Sequence, residues 1–311
     1  MERLQLETSN PSFNIINSLL GPINQIAQVS GMLQAMIASA ERVFMFLEEI
    51  EEVRNIQNPK STKDLKGNVT FEHVEFAYNE DKIIIYDFNA SVKDGQKIAI
   101  VGPTGAGKTT IVKLLMRFYD VTKGAILIDG HNIKDFKRGE LRKMFGMVLQ
   151  DTWLFNGTIK DNIKYGNPDA TDNEVIEAAK AAHVHHFIKT LPKSYDMVLG
   201  EETSNISAGQ KQLMTIARVI LTNPKILILD EATSSIDTRT EQQIQAAMDN
   251  LMKGRTSFII AHRLSTIKNA DLILVMNHGD IVEQGTHKEL LQKDGFYAKL
   301  YNSQFEESQE E

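Results

Sequence analysis

The 311-residue sequence contains no cysteine, and this absence excludes several kinds of protein. A disulfide scaffold, a zinc finger, an iron–sulfur cluster and a cysteine nucleophile all require that residue. The lack of cysteine suits a reducing compartment and is equally compatible with secretion. The chain is long enough to bury a sizeable hydrophobic core, so it needs no disulfide bond or bound metal ion to be stable.

Long apolar runs and an excess of positive charge are also missing. No stretch of about 18 or more apolar residues is present, so no segment spans a bilayer by itself. The first residues, Met1 to Leu4, lack the basic region and the apolar run of a cleavable signal. With 34 basic and 41 acidic residues the net charge is −7, so gross attraction to nucleic acid is not expected. The apolar fraction of 42% excludes global disorder.

Residues 8–40 contain no charged side chain, although amide side chains interrupt the segment. Apolar or small residues recur there at alternating steps of four and three, which predicts one face of a helix. This stripe comprises Leu19, Ile23, Ile26, Ser30, Leu33, Ile37, Ala40, Phe44 and Leu47. The pattern favours an amphipathic helix packed on a neighbour. The alternative is the end of a membrane helix that faces an aqueous cavity, since uncharged polar residues suit that position.

The N-terminal part of the chain reads as helix followed by a linker. We expect residues 1–57 to form a helical segment, with helix over residues 11–56 and an interruption at Gly21-Pro22. Residues 58–67 are mostly polar and follow no regular hydrophobic pattern, which predicts a linker.

From residue 68 onward, strand and helix signals alternate, which predicts an α/β domain over residues 68–305. A mostly helical subdomain is expected at about residues 152–222, and residues 306–311 form an acidic tail that we expect to fray. Short continuous apolar runs are typical of central strands covered on both faces, and they occur at residues 98–101, 226–229 and 257–260. Half-buried strands are predicted at residues 69–71 and 74–76, and a hairpin at residues 272–276 and 281–283.

The strongest local signal is a glycine-rich segment between a buried strand and a helix. It matches the pattern G-x-x-x-x-G-K-[ST] in full. The glycines let backbone amides close around phosphate oxygens, and the helix N-terminus adds roughly half a positive charge. We expect Lys108 to reach the β- and γ-phosphates and the Thr109 hydroxyl to ligate Mg²⁺. The segment comprises Gly102, Pro103, Thr104, Gly105, Ala106, Gly107, Lys108 and Thr109.

Two adjacent carboxylates follow another buried strand. Asp230 and Glu231 come directly after residues 226–229, at the carboxyl edge of the predicted sheet. Ligands bind at that edge in open α/β sheets. We expect Asp230 to hold Mg²⁺ and Glu231 to act as the general base that polarises the attacking water.

A third segment lies between these two and begins a predicted helix. Ser207, with Gln210 three residues later, predicts a capping box, which by itself is typical of an ordinary helix start. In order with the other two motifs, Ile206-Ser207-Ala208-Gly209-Gln210 resembles the signature motif of ATP-binding cassette (ABC) proteins, usually Leu-Ser-Gly-Gly-Gln. Ile206 and Ala208 depart from that pattern, and residue 208 needs a negative φ or room for a methyl group.

The resemblance covers residues 11–305 and implies roles for further residues. Tyr78 is similar to the aromatic that stacks on adenine, a contact worth about 1–3 kcal/mol. Gln150 resembles the glutamine that touches Mg²⁺ and couples to the transmembrane part. His262 resembles the switch histidine that contacts the γ-phosphate, and residues 234–237 resemble the loop that links two nucleotide sites.

The family also implies the fold and the chemistry. The implied fold is an α/β P-loop NTPase (RecA-like) core with an antiparallel β subdomain and an α-helical subdomain, preceded by a long N-terminal helix. MgATP is the implied ligand and ATP hydrolysis the implied reaction. The implied catalytic residues are Glu231, His262, Lys108 and Gln150, and the implied metal ligands are Thr109, Gln150 and Asp230. The implied ATP contacts are Tyr78, Gly102, Pro103, Thr104, Gly105, Ala106, Gly107, Lys108, Thr109, Thr110, Gln150, Asp230, Ser207, Gly209 and Gln210.

The resemblance to exporters extends to the partners. Residues 200–202 resemble an exporter-specific loop, from which Glu202 and Thr203 depart. Two cassettes, identical or different, are expected to close head to tail, so that Ser207 of one caps the γ-phosphate held by the other. The other implied partners are the transmembrane domains of an exporter, and no nucleic acid is implied.

The implied location is the cytoplasmic face of the cell membrane. The chain is then interpreted as the C-terminal part of a longer half-transporter, with residues 1–57 at the end of its last membrane helix. The transported substrate stays open. Two alternatives also stay open, a soluble non-transport ABC ATPase and a non-hydrolysing regulatory cassette of a hetero-pair.

Overall fold

A computed structural model of the chain describes residues 11–49, 56–79, 82–149, 152–200, 206–230, 237–261 and 264–303. The chain divides into two compact units, Met1–Val53 and Arg54–Glu311. Among the described residues, no helix combines the length and the apolarity that crossing a bilayer requires.

The described part of the first unit consists almost entirely of one helix, α1 (Pro11–Glu48). The helix continues through Gly21 and Pro22, so the predicted interruption there is wrong. Proline in a helix interior removes one hydrogen bond and crowds the carbonyl four residues earlier, a local cost that the remaining hydrogen bonds of this 38-residue helix outweigh. Apolar side chains of the predicted stripe, such as Leu19 and Ile23, are exposed. The helix ends at Glu48, and residues 50–55 of the predicted helix lie outside the described residues.

The strands of the second unit begin at Val69, two residues after the end of the predicted linker. In chain order they are β1 (Val69–Asn79), β2 (Lys82–Val92), β3 (Lys97–Val101), β4 (Lys123–Ile128), β5 (His131–Asn132), β6 (Phe145–Val148), β7 (Gly157–Thr158), β8 (Val198–Leu199), β9 (Ile226–Asp230), β10 (Thr256–Ile260), β11 (Leu272–Asn277) and β12 (Asp280–Gly285). The last two form the hairpin that the sequence predicts, joined by a turn at His278 and Gly279.

The helices of the second unit are short, apart from two of 15 residues each. In chain order they are α2 (Lys108–Leu115), α3 (Arg138–Lys143), α4 (Ile159–Lys164), α5 (Asp172–Ala181), α6 (His185–Thr190), α7 (Ala208–Thr222), α8 (Thr238–Met252), α9 (Leu264–Lys268), α10 (His287–Gln292) and α11 (Phe296–Tyr301). Helices α4 to α7 occupy the stretch that the sequence marks as mostly helical.

The strands form two large sheets and a two-stranded ribbon of β7 and β8. One large sheet is antiparallel, in the order β2-β1-β4-β5. The other has the order β12-β11-β3-β10-β9-β6 and is parallel except for its edge strand β12. The predicted α/β fold, with an antiparallel sheet and a helical part, is confirmed.

The three apolar runs predicted as central strands are neighbours in the parallel sheet, in the order β3-β10-β9. Successive side chains on a strand point to opposite faces, so each run contributes to two cores. Ala99 and Val101 lie in the core that includes residues of α4, α5, α7 and α8. Ile98 and Ile100 lie in the core that includes residues of β1, β2 and α2. Burial on both faces explains why these strands are mostly apolar.

Asp129, in the turn between β4 and β5, holds the end of the predicted linker. Its carboxylate accepts hydrogen bonds from the amides of Lys66 at 2.7 Å, Gly67 at 3.0 Å and Asn68 at 3.2 Å. Burial alone would raise the pKa of Asp129, but the hydrogen bonds from the Asn68 side chain and from these amides lower it overall. The resulting stabilisation is present above the ordinary aspartate pKa, about 4, and is lost as the pH falls through the lowered value.

The antiparallel sheet contains an irregularity at which β4 approaches β1 closely. The register between the two strands shifts between Glu72 and Glu75, and His73 lies there with φ +47°. Gly124 faces this point with φ +74°, and a Cβ on it would overlap the carbonyl oxygens of Glu72 and His73. Glycine is therefore required at this position by both conformation and space.

We expect Gly124→Ala to lower the free energy of unfolding much more than Gly130→Ala. The two glycines have φ of +74° and +76°, so both changes incur a left-handed penalty of about 1–2 kcal/mol. Only at Gly124 does the new methyl group meet backbone, whereas nothing lies within 4 Å of a Cβ at Gly130. The overlap should add roughly 1–3 kcal/mol, measured by denaturant unfolding. Equal losses for the two variants would contradict this interpretation.

Candidate nucleotide site

The predicted phosphate loop connects the carboxyl end of β3 to the start of α2. Gly102, Gly105 and Gly107 have φ of +152°, +81° and +99°, values that favour glycine. A Cβ on Gly102 would overlap the carbonyl oxygen of Met276, and one on Gly107 would lie 2.8 Å from Ile85 Cδ1. The glycines therefore allow both the tight backbone turn and its close approach to β2 and β11.

Lys108, the first residue of α2, folds back onto this loop. Its ammonium group donates hydrogen bonds to the carbonyl oxygens of Gly102, at 2.7 Å, and Pro103, at 3.0 Å. Burial lowers the pKa of Lys108, and the negative charge of Asp230 acts in the opposite direction. A partly desolvated ammonium that donates to neutral carbonyl oxygens is well suited to bind an anion, because a hydrogen bond to a charged acceptor is stronger.

The loop borders a cavity of about 430 Å³. Residues from several separate parts of the chain meet in it: Tyr78 of β1, Ile84 of β2, the loop with the start of α2, and the carboxyl ends of β9 and β10. The lining residues are Tyr78, Ile84, Thr104, Gly105, Ala106, Gly107, Lys108, Thr109, Thr110, Asp230 and Ile260. The structure thus brings the predicted phosphate loop, the predicted adenine-stacking tyrosine and Asp230 into one site.

Asp230 reaches the cavity because three parallel strands end at the same edge of the sheet. It is the last residue of β9 and is paired with Ile260, the last residue of β10. β10 separates β9 from β3, and the phosphate loop follows β3. Asp230 and Thr109 therefore line the same cavity as Lys108.

Tyr78 is held at the cavity by an aromatic cluster. Its ring makes edge-on contacts with Phe76 and Tyr119, at centroid distances of 4.8 and 5.0 Å. Its hydroxyl is hydrogen-bonded to Thr110 Oγ1 at 3.3 Å. Tyr78 as a whole residue is 41% exposed, so it keeps an accessible surface on which a flat group can stack.

Ser207 is the N-cap of α7, and the predicted capping box is present. Its hydroxyl accepts a hydrogen bond from the amide of Gln210 at 3.3 Å, and Gln210 Oε1 accepts one from the amide of Ser207 at 3.0 Å. Ala208 is the first helical residue and is exposed, so its methyl group is accommodated. Gly209 is buried. Within the described part of the chain, the cavity lining does not include Ser207, Gly209 or Gln210.

Three predicted site residues, Gln150, Glu231 and His262, lie outside the described residues. Most of the predicted connecting loop, residues 234–236, also lies outside them. Its last residue, Asp237, caps α8 by accepting a hydrogen bond from the amide of Thr240 at 2.9 Å.

Sequence reasoning missed several residues around Tyr78 and the cavity. Ile84 and Ile260 line the cavity, Tyr119 supports the Tyr78 ring, and Lys113 Nζ lies 5.7 Å from the centroid of that ring. Lys113 comes one helical turn after Thr109, so helical periodicity could have identified it. The other three residues depend on how two sheets pack, for which the sequence carries no local signal.

Comparison with known proteins identifies the family to which this chain is similar. The family described as ABC transporter matches residues 85–234. A fatty acid ABC transporter ATP-binding/permease protein of Mycobacterium bovis is 54% identical over 279 residues, which cover 90% of this chain and 44% of that protein. An ABC transporter ATP-binding protein of Bacillus subtilis is 52% identical over 285 residues, which cover 92% of this chain and 47% of that protein.

Among solved structures, a bacterial Atm1-family ABC exporter with ATP bound is similar to this chain. The TM-score is 0.78 at 42% sequence identity, and the match covers 93% of this chain and 50% of that one. The chain thus spans about half the length of the curated relatives it matches. The family predicted from the three motifs is confirmed: this chain belongs to the ABC transporter family and carries its ATP-binding domain.

Proposed function

We propose that this chain is the ATP-binding and ATP-hydrolysing part of an ABC exporter, and that a pair of such cassettes couples ATP hydrolysis to export. The observation that carries the proposal is the single cavity that contains Tyr78, the phosphate loop and Asp230. The aromatic face of Tyr78 suits a nucleotide base. The backbone amides of the loop, together with the Lys108 ammonium, suit a triphosphate. The Asp230 carboxylate suits the cation that accompanies the triphosphate.

In this proposal each part of the cavity binds one part of ATP. The adenine stacks on Tyr78, whose orientation is set by Tyr119 and Thr110. The phosphates lie in the loop, and Lys108 exchanges its two carbonyl acceptors for phosphate oxygens. This exchange is favourable because it supplies a negative charge to a partly desolvated cation.

The residues at the cavity also fit a magnesium ion. Mg²⁺ prefers hard oxygen ligands and is held in nucleotide sites by one or two protein groups together with phosphate oxygens. The Thr109 hydroxyl and the Asp230 carboxylate are such groups, and the proposed set also includes Gln150. When bound, the ion neutralises charge on the phosphates.

Hydrolysis is assigned to residues next to this cavity in sequence. Glu231 follows Asp230 directly and is proposed to take a proton from the water that attacks the γ-phosphorus, with ADP as the leaving group. His262 follows Ile260 by two residues and is proposed to contact the γ-phosphate. Gln150 follows β6 by two residues, and β6 is the neighbour of β9 in the sheet.

A second cassette is proposed to complete the site. Ser207 and Ala208 are exposed at the start of α7, where the helix N-terminus adds a partial positive charge. A γ-phosphate presented by a partner cassette would meet this helix start, and the closed pair would then make contacts that the open pair lacks.

The relatives favour an exporter over the two alternatives. The Mycobacterium bovis relative is named as a combined ATP-binding and permease protein, and the similar solved structure is an exporter. A soluble non-transport ATPase or a regulatory cassette has no comparable support among these relatives. We therefore propose that the chain works at the cytoplasmic face of a membrane with the transmembrane domains of an exporter.

Replacing Lys108 with alanine should weaken ATP binding about 10- to 100-fold. Hydrogen bonds to charged groups contribute about 1.5–3 kcal/mol, and the ammonium is the cation at the loop. Isothermal titration calorimetry with Mg²⁺ and ATP measures the change. Lys189→Ala, at an exposed position on α6, is the matched control and should bind normally. Unchanged affinity in Lys108→Ala would rule out the assigned phosphate loop.

Glu231→Gln should retain ATP binding and lose most hydrolysis, because an amide cannot accept the proton of the attacking water. The loss should be about 10²- to 10⁴-fold in turnover, measured by phosphate release. Glu177→Gln, on the exposed face of α5, provides the same chemical change away from the site and should be neutral. Near-normal turnover in Glu231→Gln would refute the assignment of the base.

Mixing Ser207→Ala chains with Lys108→Ala chains should restore hydrolysis above the average of the two separate variants. A mixed pair has two sites. In one of them an intact Lys108 faces an intact Ser207, and in the other both residues are replaced. Phosphate release as a function of mixing ratio measures this effect. Thr171→Ala is the matched control, because Thr171 is also an exposed N-cap with a capping box, on α5, and its loss costs only about 1 kcal/mol of stability. Activities that follow simple averages would mean that no site is shared.

A further inference from the structure

A second cavity lies at the opposite edge of the parallel sheet, and basic residues outnumber acidic ones in its lining. Its volume is about 410 Å³. Five of its lining side chains are basic and two, Asp64 and Asp94, are acidic. The basic residues are Lys63, Lys66, Lys225, Lys253 and Arg255.

The cavity is separate from the nucleotide site. Lys225 directly precedes β9 and Arg255 directly precedes β10, so both mark the amino ends of these strands. The nucleotide cavity lies at the carboxyl ends of the same strands, at Asp230 and Ile260. A strand of five residues separates the two edges by about 15 Å.

The cations around this cavity have no ionic partners in the described part of the chain. None of the five forms a salt bridge there, although several lysines elsewhere do. The side chain of Arg255 is partly buried and donates only to neutral acceptors, the Leu251 carbonyl and, at 2.9 Å, Asn223 Oδ1. Burial lowers the pKa of Arg255. Its guanidinium retains further N–H donors, which suit a bidentate anion.

The loops that surround the cavity are held together by hydrogen bonds. Thr256, which is fully buried, donates its hydroxyl to the Gly67 carbonyl at 2.9 Å and accepts from the Gly95 amide at 3.1 Å. Asp129 fixes the amides of Lys66 and Gly67 from the other side. The Lys225 amide donates to the Met144 carbonyl at 3.0 Å. The basic side chains therefore extend from backbone that is already ordered, so less entropy is lost when a ligand gathers them.

We propose that this cavity binds a compact oligophosphate group. A concave site surrounded by several cations suits charge that is concentrated in a small volume, whereas a flat lipid surface cannot enter it. The Arg255 guanidinium matches the geometry of phosphate oxygens, and the lysines supply further charge. The proposal does not depend on the function of the nucleotide cavity.

The test uses tripolyphosphate and the full chain with Lys108→Ala, which weakens phosphate binding at the loop. We expect calorimetry to show about one tripolyphosphate bound per chain, with an affinity that falls as salt is added. Adding Lys225→Ala and Arg255→Ala should weaken binding at least tenfold. Adding Lys189→Ala and Lys288→Ala removes the same charge from exposed positions on α6 and α10 and should change the affinity less than twofold.

Several outcomes would overturn the proposal. One is that no binding is detected at millimolar tripolyphosphate. Another is that the two pairs of substitutions weaken binding equally. The third is that the acidic peptide Glu-Glu-Ser-Gln-Glu-Glu, which has the sequence of residues 306–311, binds more tightly than tripolyphosphate. If thermal unfolding shows that the Arg255 variant is unstable, Lys225→Ala with Lys253→Ala tests the same prediction at two exposed positions. ATP titrated into the same Lys108→Ala chain shows whether a nucleotide-borne phosphate tail binds as well as the free one.

Discussion

Three parallel strands that end at a common edge are the constraint on which the nucleotide site depends. β3, β10 and β9 are hydrogen-bonded neighbours, and adjacent strands lie about 4.8 Å apart. The loop after β3 and the carboxylate at the end of β9 are therefore held roughly 10 Å apart. Because all three strands are buried on both faces, this spacing can change only if two hydrophobic cores rearrange.

A second constraint brings the tyrosine of the antiparallel sheet to the same place. Gly279, in the turn between β11 and β12, donates its amide to the Ala106 carbonyl at 3.1 Å and accepts a hydrogen bond from the amide of Tyr86 at 3.4 Å. This one residue thus bridges the phosphate loop and β2, which pairs with the strand that carries Tyr78. A Cβ on Gly279 would overlap the carbonyl oxygen of Ile84, so the bridge requires glycine.

The two edges of the parallel sheet differ in chemistry. At the carboxyl edge, one lysine and the loop amides are opposed by Asp230, a combination that suits a phosphate chain with a bound cation. At the amino edge, basic residues outnumber acidic ones, which suits an anion without a metal. The start of α7 differs from both edges, because Ser207 is exposed there and is accessible to a group that approaches from outside this chain. In the proposed dimer that group is the γ-phosphate of the partner cassette.

The sequence by itself determined the family, the phosphate loop, the central strands and the capping box of Ser207, because each depends on residues close together in the chain. Backbone hydrogen bonding along 38 residues outweighed the local preference at Gly21 and Pro22, so the predicted interruption of α1 is absent. Only the tertiary structure decided which side chains surround the tyrosine, that Ile84 and Ile260 line the cavity, and that five cations gather at the opposite edge. These contacts join residues far apart in sequence. They follow from the packing of two sheets and from the order of strands within one of them, and neither leaves a periodic signal in the chain.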